Sequence, residues 1–240
     1  MISGRLIIRL LAFIALVAVI AGLFWTQNAA FLSEGNIRAL MRHMSVQGLA
    51  ALGLTFVIVV RQFDLSFPGV ASLGAMTLGW LIASGMPLSV AVCGGLAVGI
   101  AFGLVNGVAV ARLGLPDIVT TIATGGLAIG FSYFYSNGTS ISQNFFMSGI
   151  LDLNDRKILG LDMPFAILMA AAIVGFVVLH ASRFGRGFYA TGENRTSARF
   201  SGIPTRTLIV AAFAICGMMA CLSITLLVAS SGAANVTAGN

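Results

Sequence analysis

The 240-residue sequence contains little charge, since only 8% of its residues are Asp, Glu, Lys or Arg. Its single lysine, Lys157, lies in the segment NDRKILG without the preceding Gly-x-x-x-x-Gly of a phosphate-binding loop. The two histidines, His43 and His180, lack metal-ligand spacing, and neither an HExxH motif nor a helix with paired carboxylates occurs. We therefore expect no catalytic residue, metal site or cofactor on this chain, and any ATP hydrolysis on a partner.

Apolar residues dominate the sequence, with 58% of the chain hydrophobic. Such a composition is typical of an integral membrane protein. A helix needs about 20 apolar residues to cross the hydrocarbon core, and seven stretches reach or approach that length, at 6–25, 44–60, 65–84, 88–111, 117–136, 163–181 and 207–229. The sequence therefore predicts an all-α, polytopic protein with about seven transmembrane helices in a single transmembrane domain over residues 1–240.

The basic residues predict the orientation of these spans. One side of the membrane receives nine of the thirteen, and the other side receives Arg38, Arg42, Arg156 and Lys157. Because cytoplasmic loops carry the excess of Lys and Arg, we expect a cytoplasmic N-terminus, a cytoplasmic segment 183–206 and an external segment 137–162. The net charge of +6 is dispersed between apolar runs, which indicates membrane lipid and not nucleic acid as its counterpart.

Small residues recur every four positions in two spans, which gives each helix a flat face for close packing. These residues are Gly95, Gly99, Gly103 and Gly107 in the fourth span and Ala71, Ala75, Gly79 and Ala83 in the third.

Polar groups inside a span are candidates for function. Five residues are candidates for a translocation path: Asp64, Ser66, Asn106, Thr121 and Asn137. We expect Asn106, inside the glycine-faced span, to form an interhelical hydrogen bond, whereas threonines commonly bond to their own helix. Asp64 opens the segment DLSFPG, so capping of the third span is its alternative role, and we expect it near water at the cytoplasmic edge.

The segment GENRTSARFSGIPTRT, residues 192–207, is the most basic part of the chain. Asn194 is a good N-cap, residues 195–201 can make two turns, Gly202 can take a left-handed conformation, and Pro204 prevents continuation. The segment therefore predicts a short cytoplasmic helix.

Two interpretations of this short helix are possible. It is either a solvated basic loop held by lipid headgroups or the docking element for a cytoplasmic protein. A two-turn helix is marginal in water unless something packs on it, and Phe200 with Ile203 offers apolar surface for that contact, while Arg195 and Arg199 share one face.

The residues GRGFYATGENRTSARFSGIPTRT resemble the cytoplasmic coupling segment of the permease subunits of bacterial ABC sugar importers of the ribose and xylose type. Matching positions are Gly185, Arg186, Ala190, Gly192, Asn194, Ala198, Ser201, Gly202 and Ile203, and Ser197 stands where the family usually has Ala. SVQGLAALGLTFVIVVRQFDLS, GLVNGVAVARLGLPDIVTTIAT and YSNGTSIS resemble further family segments in the same order, so the resemblance covers nearly the whole chain.

The resemblance implies a multi-pass inner-membrane subunit that translocates a monosaccharide by alternating access. Its implied partners are an ABC ATPase subunit carrying ATP and Mg, a periplasmic sugar-binding protein, and a second permease subunit in a homodimer or heterodimer. The residues implied to couple to the ATPase are Gly192, Asn194, Arg195, Ala198, Arg199, Phe200, Ser201, Gly202 and Ile203, within the coupling loop 183–206.

Alternatives and departures accompany this resemblance. A permease for branched-chain amino acids or another small polar solute is the nearest alternative, and an intramembrane enzyme would need a facing pair of catalytic groups. Arg61 and Gln62 replace the small residues usual before Asp-Leu-Ser, and Phe67-Pro68-Gly69 replaces Val-Gly-Ser. The family continues beyond VTAG, so we expect the chain to be C-terminally incomplete, as a fragment, a truncated gene product or half of a split permease.

Overall fold

The computed structural model describes residues 4–239, and the predicted domain limits at residues 1 and 240 lie outside them. The chain divides into two compact units, 1–41 and 42–240. The first contains helix α1 (Gly4–Gln27), a 3₁₀ turn (Ala29–Leu32) and the beginning of α2 (Glu34–Val59). The α2 helix begins ten residues before the predicted span 44–60, and Glu34 pairs with Arg38 one turn apart at its polar start.

The second unit contains the remaining helices and one small hairpin. In chain order they are α3 (Phe67–Ala83), α4 (Leu88–Ala111), α5 (Asp117–Ser136), α6 (Phe145–Ser148), α7 (Asp152–Asp155), β1 (Lys157–Ile158), β2 (Leu161–Asp162), α8 (Met163–Phe176), α9 (Arg183–Glu193), α10 (Arg195–Phe200) and α11 (Thr205–Ser231). The α8 helix continues through a π-helical turn, Val177–Ala181. The two strands pair antiparallel, with Lys157 opposite Asp162.

The predicted all-α membrane architecture is confirmed, because every predicted span falls on a helix. Five helices within residues 4–239 are long and apolar enough to cross a membrane: Glu34–Val59, Leu88–Ala111, Asp117–Ser136, Met163–Ala181 and Thr205–Ser231. The other two predicted spans correspond to shorter apolar helices, Leu11–Gln27 within α1 and α3 itself. The predicted coupling loop differs in detail, since it contains two helices, α9 and α10, where the sequence indicated one.

The core of the second unit forms where α4 and α11 pack closely together beside α3. A Cβ added at Gly99 would lie 2.1 Å from the carbonyl oxygen of Gly217, and one added at Gly103 would lie 2.3 Å from that of Phe213. The two backbones therefore touch directly, which confirms the close packing predicted from the glycine spacing.

The α3 helix is the most enclosed element. It has 17 residues, of which most are buried, and at 1.5 Å per residue it is about 25 Å long, short of the roughly 30 Å hydrocarbon thickness. Because α4, α5 and α11 surround it, α3 does not need to match the bilayer. Its first turn starts inside the bundle, where Gly69 lies against the main chain of Gly125, two turns into α5.

Two non-helical segments approach the start of α3. Residues 60–66 lead into it from the end of α2. Among them Arg61 has a left-handed conformation (φ 55°), which small residues adopt at lower cost. Residues 232–239 return along α3 from the end of α11. There Ala234 lies against Gly79, and the Gly239 amide donates to Ser72 Oγ at 3.1 Å.

Candidate translocation site and coupling helix

A chain of four polar side chains, three of them buried, joins the segment that leads into α3 to the α4 and α5 helices. The hydroxyl of Ser66 donates to Asp64 Oδ1 at 2.5 Å, and the Asn106 amide of α4 donates to Ser66 Oγ at 2.8 Å. Thr124 of α5 completes the chain by donating to Asn106 Oδ1 at 2.7 Å. Asn106 is fully buried. The predicted interhelical hydrogen bond of Asn106 is therefore present, to Thr124 of α5, and a second bond joins Asn106 to Ser66, the residue before α3. We call these four residues the polar chain.

Asp64 lies in a different environment from the one we expected. Its side chain is buried, with the residue 7% exposed, so the expectation of a water-facing edge is wrong. The reason is that residues 60–66 pass between α5 and α11, where Asp117 Oδ2 accepts the Phe63 amide at 2.7 Å. Burial raises the pKa of the Asp64 carboxyl group, and hydrogen bonds from Ser66 and from the Cys216 thiol partly oppose that rise.

The other two predicted path residues do not join the polar chain. Thr121 is buried but donates to the Asp117 carbonyl of its own helix at 2.8 Å, as threonines in helices commonly do. Asn137 is exposed and ends α5 in a left-handed conformation with φ 49°. The structure thus brings together Asp64, Ser66 and Asn106 of the five candidates, and it adds Thr124.

A second polar location was missed by the sequence reasoning. His43 and Gln47 of α2 lie one helical turn apart and line a groove of about 270 Å³ together with Ser223 of α11 and Gly239. Gln47 is the fourteenth of the 26 residues of α2, so it lies near the middle of that helix. The four-residue spacing of two polar side chains in an apolar span was the signal available in the sequence.

The predicted short helix is present as α10, with both of its predicted ends. Asn194 Oδ1 accepts the Ser197 amide at 2.9 Å, as an N-cap does. At the other end Gly202 has φ +80°. Its amide donates to the Arg199 carbonyl at 3.1 Å, and the Ile203 amide donates to the Ala198 carbonyl at 3.0 Å. This pair of bonds is a Schellman motif, which requires the left-handed residue that glycine supplies.

The α9 helix holds α10 against the bundle. A Cβ added at Gly192, at the end of α9, would lie 1.9 Å from the carbonyl oxygen of Val59, so α9 contacts the end of α2 directly. Phe188 of α9 packs edge-on against Phe56 with ring centroids 5.7 Å apart. Because α10 follows α9 after a single residue, Asn194, these contacts of α9 also fix the position at which α10 begins.

The two faces of α10 therefore differ. Ala198 is buried, and Ile203 packs into the cluster around Phe188, so Ile203 does not offer the outward apolar surface that we expected. Phe200 does, because it is 88% exposed, and Ser201 beside it is exposed as well. Arg195 donates to the Ala111 carbonyl at the end of α4 at 3.3 Å, which ties α10 to that helix.

The apolar spanning helices make this chain a multi-pass membrane protein of the inner membrane. Residues 36–240 match the family described as branched-chain amino acid transport system / permease component. The chain belongs to this family of membrane permease components.

Several characterised proteins are similar to the chain over most of its length. It is 29% identical over 233 residues to an autoinducer 2 import system permease protein of Yersinia enterocolitica, covering 95% of the chain and 70% of that protein. It is 29% identical over 238 residues to a ribose import permease protein of Haemophilus influenzae, covering 98% and 73%. It is 30% identical over 226 residues to a D-allose transport system permease protein of Escherichia coli, covering 93% and 69%. No solved structure matches the chain.

Proposed function

We propose that this chain is the membrane-spanning subunit of an ATP-binding-cassette importer that carries a monosaccharide across the inner membrane by alternating access. The observation that carries the proposal is α10, a capped helix with an exposed Phe200 at the arginine-rich end of the bundle of a permease-family chain. ATP and Mg bind to a separate ATPase subunit, which docks on α10.

The contacts of α10 provide a route for coupling. Arg195 ties it to the end of α4, and Gly192, at the end of the preceding α9, touches the end of α2. A push on Phe200 and Ser201 is therefore transmitted to two spanning helices. Because packed helices move as rigid bodies, ATP-driven closure of the ATPases tilts the spans and opens the path to the other side.

The polar chain and the groove beside His43 and Gln47 are the candidate path. Transporters place substrate sites where helices are interrupted within the membrane, and α3 starts inside the bundle beside the non-helical segments 60–66 and 232–239. A second permease subunit completes the pathway, and a periplasmic sugar-binding protein delivers the substrate from outside.

The substrate class rests on the named relatives. Two of the proteins reported above carry ribose or allose in their names, both of which are monosaccharides. The family description names branched-chain amino acids, but the named relatives do not favour this alternative.

Docking of the ATPase is tested by co-purification. We expect Ser201→Arg, which places a charged side chain on the exposed end of α10, and Gly192→Pro, which disrupts the junction of α9 and α10, to release the ATPase. Ser197→Ala is the matched control because it introduces the residue usual in the family. Retention of the ATPase by both variants would overturn the docking assignment.

The substrate is tested by uptake into membrane vesicles that contain the permease, its ATPase and its binding protein. We expect ATP-dependent accumulation of labelled ribose or another monosaccharide and none of labelled leucine. Accumulation of leucine without any monosaccharide would overturn the assignment of a monosaccharide as the substrate.

A further inference from the structure

Four arginines surround one cleft at the arginine-rich end of the second unit. The cleft has a volume of about 560 Å³ and lies between the end of α4, the α10 helix and the first turn of α11. Arg112, Arg195, Arg199 and Arg206 line it. The acidic residue nearest to them in sequence, Glu193, lies beside Arg61 with 3.9 Å between the charged atoms. No carboxylate lines the cleft among the residues that the structure describes.

Three of the four guanidinium groups in the cleft have no acceptor among the residues that the structure describes. Within residues 4–239, the side chains of Arg112, Arg199 and Arg206 form no hydrogen bond or ion pair, and Arg195 has only the Ala111 carbonyl. Like charges in one cleft repel each other, and an anion relieves that repulsion. Guanidinium groups bind phosphate oxygens through paired N–H donors, so phosphate is the anion that this set of side chains favours.

Apolar surface adjoins the charged groups and identifies the source of the phosphate. Leu113, which also lines the cleft, is 70% exposed. The cleft lies where α4 ends and α11 begins, at the level where two spanning helices leave the membrane. A phospholipid presents a phosphate at that level and an acyl chain beside it, which matches arginines next to the exposed Leu113.

We propose that this cleft binds the headgroup of an anionic phospholipid. The phosphate is held by Arg112 at the end of α4, Arg206 at the start of α11, and Arg195 and Arg199 of α10. The lipid therefore bridges the two spanning helices and the short helix, and it stabilises α10 against the bundle. This site does not depend on which solute the permease carries.

The test measures lipid retention by the purified full chain in neutral detergent, with native mass spectrometry as the readout. The probe is phosphatidylglycerol, with phosphatidylcholine as the neutral comparison. The variants are Arg112→Gln and Arg206→Gln, which remove arginines with no acceptor among the described residues. Arg61→Gln is the matched control, because it removes the same charge at the same end but outside the cleft.

We expect the wild type to retain phosphatidylglycerol in preference to phosphatidylcholine. Each cleft variant should weaken retention about fivefold, the effect of roughly one basic residue near an anionic membrane surface. Arg61→Gln should change it less than twofold, and Arg206→Lys, which keeps the charge, should retain more lipid than Arg206→Gln. Equal thermal unfolding midpoints of all variants verify that they are folded.

Two results would overturn the proposal. Equal loss of phosphatidylglycerol in Arg61→Gln and the cleft variants would show a general effect of charge and no defined site. Displacement of phosphatidylglycerol by inorganic phosphate at millimolar concentration would show a site for a free anion, because the acyl chain would then contribute nothing.

Discussion

At the residue scale, Asn106 of α4 connects the segment that leads into α3 with α5 through a single side chain. Its amide nitrogen donates to Ser66 and its amide oxygen accepts from Thr124. A residue with both a donor and an acceptor is needed, since Leu would satisfy neither neighbour and Asp could not donate when ionised.

Replacing Asn106 with Leu is expected to destabilise the protein by about 1–3 kcal/mol, because it removes the hydrogen bond to Ser66 Oγ and the hydrogen bond from Thr124. Thermal unfolding in detergent measures this change. Thr55→Val is the control, because the Thr55 hydroxyl bonds only to the Ala51 carbonyl of its own helix and is exposed. An equal effect of the two substitutions would contradict the assigned role of Asn106.

The buried carboxyl group of Asp64 predicts a pH dependence. Burial raises its pKa in the folded state, so folding favours the protonated form. Stability should therefore fall as pH rises from about 4, the usual carboxyl pKa in an unfolded chain, until the raised folded pKa is passed. Asp64→Asn should remove this part of the slope, which unfolding midpoints measured between pH 4 and pH 8 would show. An unchanged slope would contradict the burial of a titrating Asp64.

At the element scale, the contact between α4 and α11 depends on glycine at Gly99. Gly99→Ala forces the two backbones apart, and we expect a loss of about 1–3 kcal/mol from overpacking. Gly126→Ala in α5 is the matched control, since a Cβ there meets nothing within 4 Å, and Ala in a helix is favoured by about 0.5–1 kcal/mol. The two substitutions should shift the unfolding midpoint in opposite directions. A stabilising Gly99→Ala would contradict the close helix contact.

The N-cap of α10 gives a second prediction at this scale. Asn194→Ala removes the bond to the Ser197 amide and should cost about 1 kcal/mol of local helix stability. Because α10 is short, its amide protons should exchange faster by roughly fivefold, as hydrogen exchange measures. Ser197→Ala should leave exchange unchanged, since no hydrogen bond of that hydroxyl is found within the described chain. Equal exchange in both variants would show that the cap does not hold α10.

At the scale of the whole molecule, the sequence predicted the elements better than their surroundings. Apolar stretch length located every span, because crossing a bilayer needs a fixed number of residues, and local capping chemistry located α10. The burial of Asp64 could not be predicted, because it depends on α3 starting inside the bundle. The inward position of Ile203 was missed for a similar reason, since it depends on the docking of α9.

The proposed assembly predicts the genetic neighbourhood of the chain. A permease of this kind has no P-loop of its own, so adjacent reading frames should encode a P-loop ATPase and a solute-binding protein with a signal peptide. Sequencing the locus verifies this directly. Absence of both frames would weaken the importer assignment.

The central claim is that an ATPase subunit drives this permease through α10. The most direct measurement replaces Phe200 with photo-reactive benzoylphenylalanine and irradiates membranes that contain both subunits. Phe146, which is 85% exposed on α6, is the control position. The account predicts a covalent adduct with the ATPase from position 200 and none from position 146. No adduct from position 200, or equal adducts from both positions, would contradict it.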